Sequence, residues 1–196
     1  MSDRNNSISL IVGLGNPGTE YAQTRHNAGF WFVEQLAKDY GIALKNESKF
    51  HAYTGRGQIA GCDVRLLLPQ TYMNRSGQSV VPFCKFYQIQ PSAMLIAHDE
   101  LDMNPGVIRL KTGGGHGGHN GLRDIVPHLG SDFHRLRIGI GHPGHRDRVS
   151  GHVLGKAPAN EQQLMDDAIA HALQKIDLLI QGDVQAAMNQ INAYKP

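Results

Sequence analysis

The feature that most narrows the fold lies near the N-terminus. There an apolar run, Ile8 to Leu14, enters Gly13-Leu14-Gly15-Asn16-Pro17-Gly18 and is followed by Tyr21, Arg25, His26 and Asn27. A buried strand that ends in a glycine turn and then a helix is the opening unit of an α/β sheet, and such folds place chemistry in the loop after the strand. Pro17 stands where a dinucleotide fingerprint would open its helix, so the glycines predict a tight turn rather than a phosphate cradle. The helix begins only after Asn27, its expected cap, with Val33, Leu36, Ala37 and Tyr40 at helical spacing until Gly41.

Phe50 to Ile59 and Val64 to Leu68 predict two hairpin strands around Ala60-Gly61-Cys62-Asp63, closed at Pro69. Val80, Cys84 and Tyr87 share a helical face, and Pro82, best tolerated in a first turn, puts that helix's start near Ser79. Met94 to Ala97 reads as a central strand leading into a loop, His98-Asp99-Glu100-Leu101-Asp102. Val107 to Leu110 is a further strand before the glycine-rich stretch Lys111 to Gly121, Leu122 to Leu129 a helix, and Leu136 to Ile140 the last strand. Ile169, Ala172, Leu173, Ile176 and Ile180 then form one apolar stripe, and Val184, Ala187, Met188 and Ile191 another behind Asp183 as cap. The sum is a single α/β domain over residues 1–196, with a flexible polar start over residues 1–7. Its sheet is mixed, mostly parallel, twisted and flanked by helices, and a C-terminal helical segment follows.

Nineteen Lys and Arg against seventeen Asp and Glu leave a net charge of +2, which permits a polyanionic partner without requiring one. The placement of the cations matters more. Lys111 and Arg123 are followed by Arg135 and Arg137, which share one strand face and suit a small anion-binding patch, and then by Arg146 and Arg148. The two cysteines, Cys62 and Cys84, sit in apolar surroundings without metal spacing and read as reduced, buried thiols. No signal core or membrane-length apolar span occurs, so a cytoplasmic location is expected.

Four polar groups follow strand ends or the hairpin: Asn16 with His26, Tyr72-Met73-Asn74, His98-Asp99, and His119-Asn120. In an open α/β sheet these loops are expected to converge on one crevice at the carboxyl ends of the strands. Taken singly, His26 is a helix-start histidine bonded to backbone, Asp99 a loop-capping carboxylate, and Asn74 and Asn120 turn formers beside Gly77 and Gly121. Taken together they are a base, an orienter able to fix its tautomer, and carboxamides that both donate and accept hydrogen bonds. His116 and His119 lack any paired metal motif, and no Gly-x-Ser-x-Gly elbow supplies a serine nucleophile, so neither a metal centre nor an acyl-enzyme is expected.

The ordered set of motifs resembles the bacterial peptidyl-tRNA hydrolase family from Leu10 into the C-terminal helices. It comprises Gly13 to Gly18, Tyr21, Thr24-Arg25-His26-Asn27, Thr71-Tyr72-Met73-Asn74-x-Ser76-Gly77, His98 to Asp102, Gly117-Gly118-His119-Asn120-Gly121 and Arg135 to Gly141. The resemblance implies hydrolysis of the ester joining a peptide to the terminal ribose of tRNA, by a cytoplasmic monomer that needs no cofactor or metal. His26 then matches the general base and Asp99 its carboxylate partner. Asn16, Asn74 and Asn120 match residues that hold the peptide end and position water. Tyr21 and Met73 match positions shaping the pocket, where His119 also contacts substrate, and Lys111 and Arg137 match a clamp on the tRNA 5′-phosphate. One departure is His152, where the family often has an aromatic, in a segment resembling its mobile lid. Charge alone supports a competing function, a non-catalytic RNA-binding α/β protein using Lys111, Arg123, Arg135 and Arg137.

Overall fold

The computed structural model describes residues 6–196; five of the seven residues expected to be flexible, 1–5, lie outside the described residues. Seven strands form one mixed sheet in the order β2-β3-β4-β1-β5-β7-β6. They are β1 (Leu10–Gly13), β2 (Lys45–Glu47), β3 (Ala52–Ile59), β4 (Cys62–Pro69), β5 (Met94–Glu100), β6 (Ile108–Thr112) and β7 (His134–Gly139). β1 pairs in parallel with both β4 and β5, and β5 in parallel with β7. The edges, β2-β3-β4 and β7-β6, are antiparallel. A central strand covered on both faces needs apolar residues at every position, which is why Leu10, Ile11 and Val12 run unbroken and are fully buried.

Successive strand residues serve opposite layers. Ile11, Leu66, Leu95 and Ile138 pack under α1 (Ala28–Asp39), α5 (Ala159–Ile180) and α6 (Val184–Asn192). Leu10, Val12, Leu67 and Ile96 pack under α2 (Gly77–Tyr87) and α3 (Asn120–Leu129). A short helix, α4 (Val149–Val153), packs Val149 and Val153 in a small cluster with Ile140, the residue that follows β7. No helix among the described residues is long and apolar enough to cross a membrane.

Four expectations are corrected. β5 continues through Glu100, so His98 and Asp99 are buried strand residues rather than loop residues. The hairpin turn is only Ala60-Gly61, both at positive φ, because Ile59 already faces Cys62 in the ladder. α2 starts at Gly77, which leaves Pro82 in its interior. Pro82 is on the exposed face, and the carbonyl its missing N–H leaves free belongs to exposed Gln78, where water can satisfy it. Asn27 precedes α1 without capping it through its side chain, which is used elsewhere.

The first turn of α1 approaches the sheet closely. A methyl group on Gly29 would lie 2.3 Å from the Ala97 carbonyl oxygen and 2.7 Å from the Leu14 nitrogen, and one on Gly13 would lie 2.4 Å from the Gly29 carbonyl oxygen. Two glycines therefore let the helix start rest on the backbones of β1 and β5. The one-turn 3₁₀ helix Arg25–Asn27 is thereby set directly over the carboxyl ends of those strands.

Candidate active site

Asp99 reaches out of β5 toward the turn that carries His26. His26 Nδ1 lies 2.9 Å and 3.0 Å from the two carboxylate oxygens, so Nδ1–H donates to the carboxylate and Nε2 keeps its lone pair. Both residues are buried, yet both line a cleft of about 640 Å³. Burial opposes charge on both. It is outweighed at Asp99 by the charges and hydrogen bonds of His26 and His119, which hold the carboxyl well below the usual range. At His26 burial would lower the pKa, but the Asp99 charge and hydrogen bond raise it above the ordinary 6.5.

His119 completes the group, with Nε2 2.9 Å from Asp99 Oδ1. Its Nδ1 accepts from the Gly121 and Leu122 amides at 3.2 Å and 3.4 Å, capping α3. A ring nitrogen that accepts two amide protons carries none of its own, so the proton sits on Nε2 and faces Asp99. The possible ligand atoms of His26, Asp99 and His119 lie within 4.8 Å of one another, but the imidazole nitrogens in the cluster both donate to the carboxylate instead of presenting lone pairs to a cation. His98, the preceding strand residue, does not line the cleft; its ring packs edge-on against His119, with centroids 4.9 Å apart, and burial, with His119 nearby, pushes its pKa down to about 3.

The carboxamides are fixed through backbone. The Asn16 N–H donates to Asn27 Oδ1 at 2.8 Å, and Asn27 Nδ2 returns a bond to the Asn16 carbonyl at 3.0 Å. Asn16 Oδ1 in turn accepts from the Met73 N–H at 2.7 Å, which leaves its amide NH₂ without a hydrogen-bond partner among the described residues, and Asn16 lines the cleft. Asn27 is therefore a positioning residue that the sequence pattern, read as a helix cap, missed. Asn74 and Asn120 are exposed and line the same cleft, as do buried Met73 and half-buried His119. Asn120 Oδ1 accepts from Arg123 at 3.3 Å. Tyr21 is not among the lining residues; it packs edge-on against Tyr72, which is, with ring centroids 6.3 Å apart.

The far wall is built from the turn Arg146–Arg148 and α4, through Arg146, Val149, Val153 and Leu154. This segment is tied to the base's own turn, since the Arg25 N–H donates to the Gly155 carbonyl at 3.0 Å and its guanidinium to the His152 carbonyl at 3.0 Å. His152 Nε2 lies 3.1 Å from the Ile140 carbonyl, to which it donates. A phenyl ring at this position would lack that bond, so the departure at His152 installs a polar anchor between α4 and the exit of β7.

The cationic residues divide. Register places Arg109 opposite Arg137 and Lys111 opposite Arg135, so all four share one face of the sheet edge. Arg135 is buried, donates to the carbonyls of Gly114, Gly115 and Ser131, and stacks 4.5 Å from the Phe133 ring centroid. It braces the glycine-rich loop, and its side of the expected anion patch is occupied by protein. Lys111 is exposed and Arg137 half-buried, both outside the cleft, whereas Arg123 and Arg146 line it.

Comparison with known proteins gives one answer at three levels. A family model described as peptidyl-tRNA hydrolase matches residues 10–196. The peptidyl-tRNA hydrolase of Acinetobacter baumannii strain AYE is 81% identical over 190 residues, 97% of this chain and 98% of that one. That of Psychrobacter arcticus is 64% identical over 189 residues, 96% and 98% of the two chains. A crystal structure of the Acinetobacter baumannii enzyme superposes with a TM-score of 0.97 at 81% identity, covering 97% of each chain.

Proposed function

Because this chain belongs to the peptidyl-tRNA hydrolase family, we propose that its cleft hydrolyses the ester between a peptide and the 3′-terminal ribose of tRNA, with His26 as general base on water. The observation that carries this mechanism is the pair of bonds from His26 Nδ1 to Asp99, which leaves Nε2 unprotonated in a cleft. Nε2 takes a proton from water as the oxygen attacks the ester carbonyl, Asp99 stabilises the resulting imidazolium, and collapse of the tetrahedral intermediate breaks the ester C–O bond as the imidazolium returns that proton to the leaving ribose oxygen. The NH₂ groups of Asn16, Asn74 and Asn120 hold the peptide end and the water and offer donors to the developing oxyanion. Met73 shapes the floor, Tyr21 acts through Tyr72, and His119 keeps Asp99 in place. An ester has a better leaving group than an amide, so oriented water suffices without a covalent intermediate. All these groups come from one chain, so a monomer is sufficient for the reaction, and the tRNA substrate places it in the cytoplasm.

A site whose carboxamides pair with a peptide N–H binds a charged free amine poorly. N-acetyl-aminoacyl-tRNA is therefore expected to be cleaved at least about tenfold more efficiently than its free-amine counterpart, about 1.4 kcal/mol of discrimination. Equal kcat/KM values for the two would overturn this account of substrate choice.

Lys111 and Arg137 lie on the sheet edge away from the ester, where the 5′-phosphate of a docked tRNA is proposed to bind. Lys111→Ala and Arg137→Ala are each expected to weaken binding of full-length tRNA several-fold and to lower the salt slope by about one. A small N-blocked aminoacyl ester should respond far less. Equal losses on both substrates would remove the clamp.

A further inference from the structure

Asn16 borders a second cavity as well as the catalytic cleft. This cavity, of about 340 Å³, is lined in part by Asn27, Phe30, Glu34, Leu44 and Tyr53. Asn27, Phe30 and Glu34 fall three and four residues apart on one side of α1, whereas His26, one residue before Asn27, lines the cleft. The start of α1 thus lies between two spaces that share Asn16 as a lining residue.

The two spaces differ in charge. The catalytic cleft is lined by the cations Arg123 and Arg146 as well as by Asp99 and Glu100, whereas Glu34 is the sole charged residue lining the second cavity. Glu34 is exposed to the cavity, its carboxylate makes no hydrogen bond or ion pair among the described residues, and desolvation alone raises its pKa. Phosphates are repelled from such a cavity and cations are drawn to it, while Phe30, Leu44 and Tyr53 offer apolar walls for side chains.

We propose that the second cavity receives the N-terminal part of the peptide and that Glu34 binds a cationic group carried there, either a free α-ammonium or a Lys or Arg side chain. The proposal rests on the ester being cleaved at His26. Eight residues separate His26 from Glu34, about 12 Å along a helix at 1.5 Å per residue. An extended peptide covers that span in about three to four residues. The cation is therefore read at the third or fourth residue from the ester, well clear of the residue next to it, where a free amine is disfavoured.

The test uses four substrates on the same tRNA: acetyl-Ala, Ala-Ala-Ala, acetyl-Ala-Ala-Ala and acetyl-Lys-Ala-Ala. Each kcat/KM is taken relative to that of acetyl-Ala, which is too short to reach Glu34. In the unsubstituted protein the two cationic tripeptides are expected to exceed the neutral one by about two- to fivefold, as for an exposed ion pair, with the excess fading in high salt. Glu34→Gln should remove the excess, and Glu34→Lys should invert it. An excess confined to Ala-Ala-Ala identifies the α-ammonium as the ligand, and one confined to acetyl-Lys-Ala-Ala identifies the side chain. No excess in the unsubstituted protein, or an excess that survives both substitutions, overturns the proposal. Failure of the unsubstituted protein to cleave acetyl-Ala-tRNA would instead overturn the assignment of the catalytic cleft.

Discussion

His26→Ala is expected to lower kcat/KM for N-acetyl-aminoacyl-tRNA by about 10²- to 10⁴-fold, the usual contribution of a positioned general base. Binding of the tRNA should persist, because Lys111 and Arg137 lie outside the cleft that His26 lines. This split separates an enzyme from a protein that only binds RNA, which would show no ester cleavage for the substitution to remove. Loss of the imidazole leaves buried Asp99 with His119 as its remaining histidine partner. The variant's urea midpoint is therefore measured beside its activity, and His26→Gln, which retains more of the side chain, is assayed in parallel. Unchanged turnover in a folded variant would place the base elsewhere.

Asp99→Asn is expected to cost on the order of 10³-fold, and the reason is specific to this site. The carboxylate accepts two N–H groups, from His26 Nδ1 and His119 Nε2. A carboxamide offers one oxygen and one NH₂. His119 cannot change its tautomer without giving up the α3 cap, because its Nδ1 accepts from Gly121 and Leu122. The oxygen of the new side chain is therefore taken by His119, and the NH₂ faces His26. His26 must then accept at Nδ1 and carry its proton at Nε2, the atom that has to take one from water.

The pH profile gives a second signature. In the unsubstituted protein the base works only when neutral, so activity rises with pH through an apparent pKa above 6.5, raised by the Asp99 carboxylate beside His26. Without the Asp99 charge, burial is the cause that remains, and the acid limb should move to lower pH while the plateau falls. An unmoved limb would mean that Asp99 does not set the state of His26. Stability follows the linked signs. Asp99, depressed, contributes above its unfolded pKa and loses that contribution as pH falls through its folded value. His26, raised, contributes most below its unfolded pKa and loses that contribution as pH rises through its folded value.

The layers and the site could be read from different kinds of pattern. Leu10 to Val12 announced a doubly covered strand, and the C-terminal stripes announced helices, because burial imposes a period on the chain. The expected convergence of His26, Asp99, Asn16, Asn74 and Asn120 was legible because parallel strands bring successive loops to one edge. Tertiary partners carried no such period. Asn27 looked like a cap from its position, but its partner is Asn16, eleven residues away. Arg135 looked like a free cation from strand alternation, but the carbonyls that claim it lie in a loop about twenty residues earlier. His119 fell in a glycine-rich stretch where neither its cap nor its bond to Asp99 leaves a sequence spacing.

The contact of Gly29 with Ala97 and Leu14 restricts how the family's scaffold can be remodelled. The base rides on a helix start that has no side chain to trim, and any side chain added there would collide with strand backbone and drive the helix start off the sheet, so His26 cannot be shifted in small steps for a bulkier substrate. Variation in what the cleft admits must come from its opposite bank, the Arg146 to Leu154 segment. Selection experiments for altered substrates should therefore return changes on that bank while Gly13 and Gly29 stay silent.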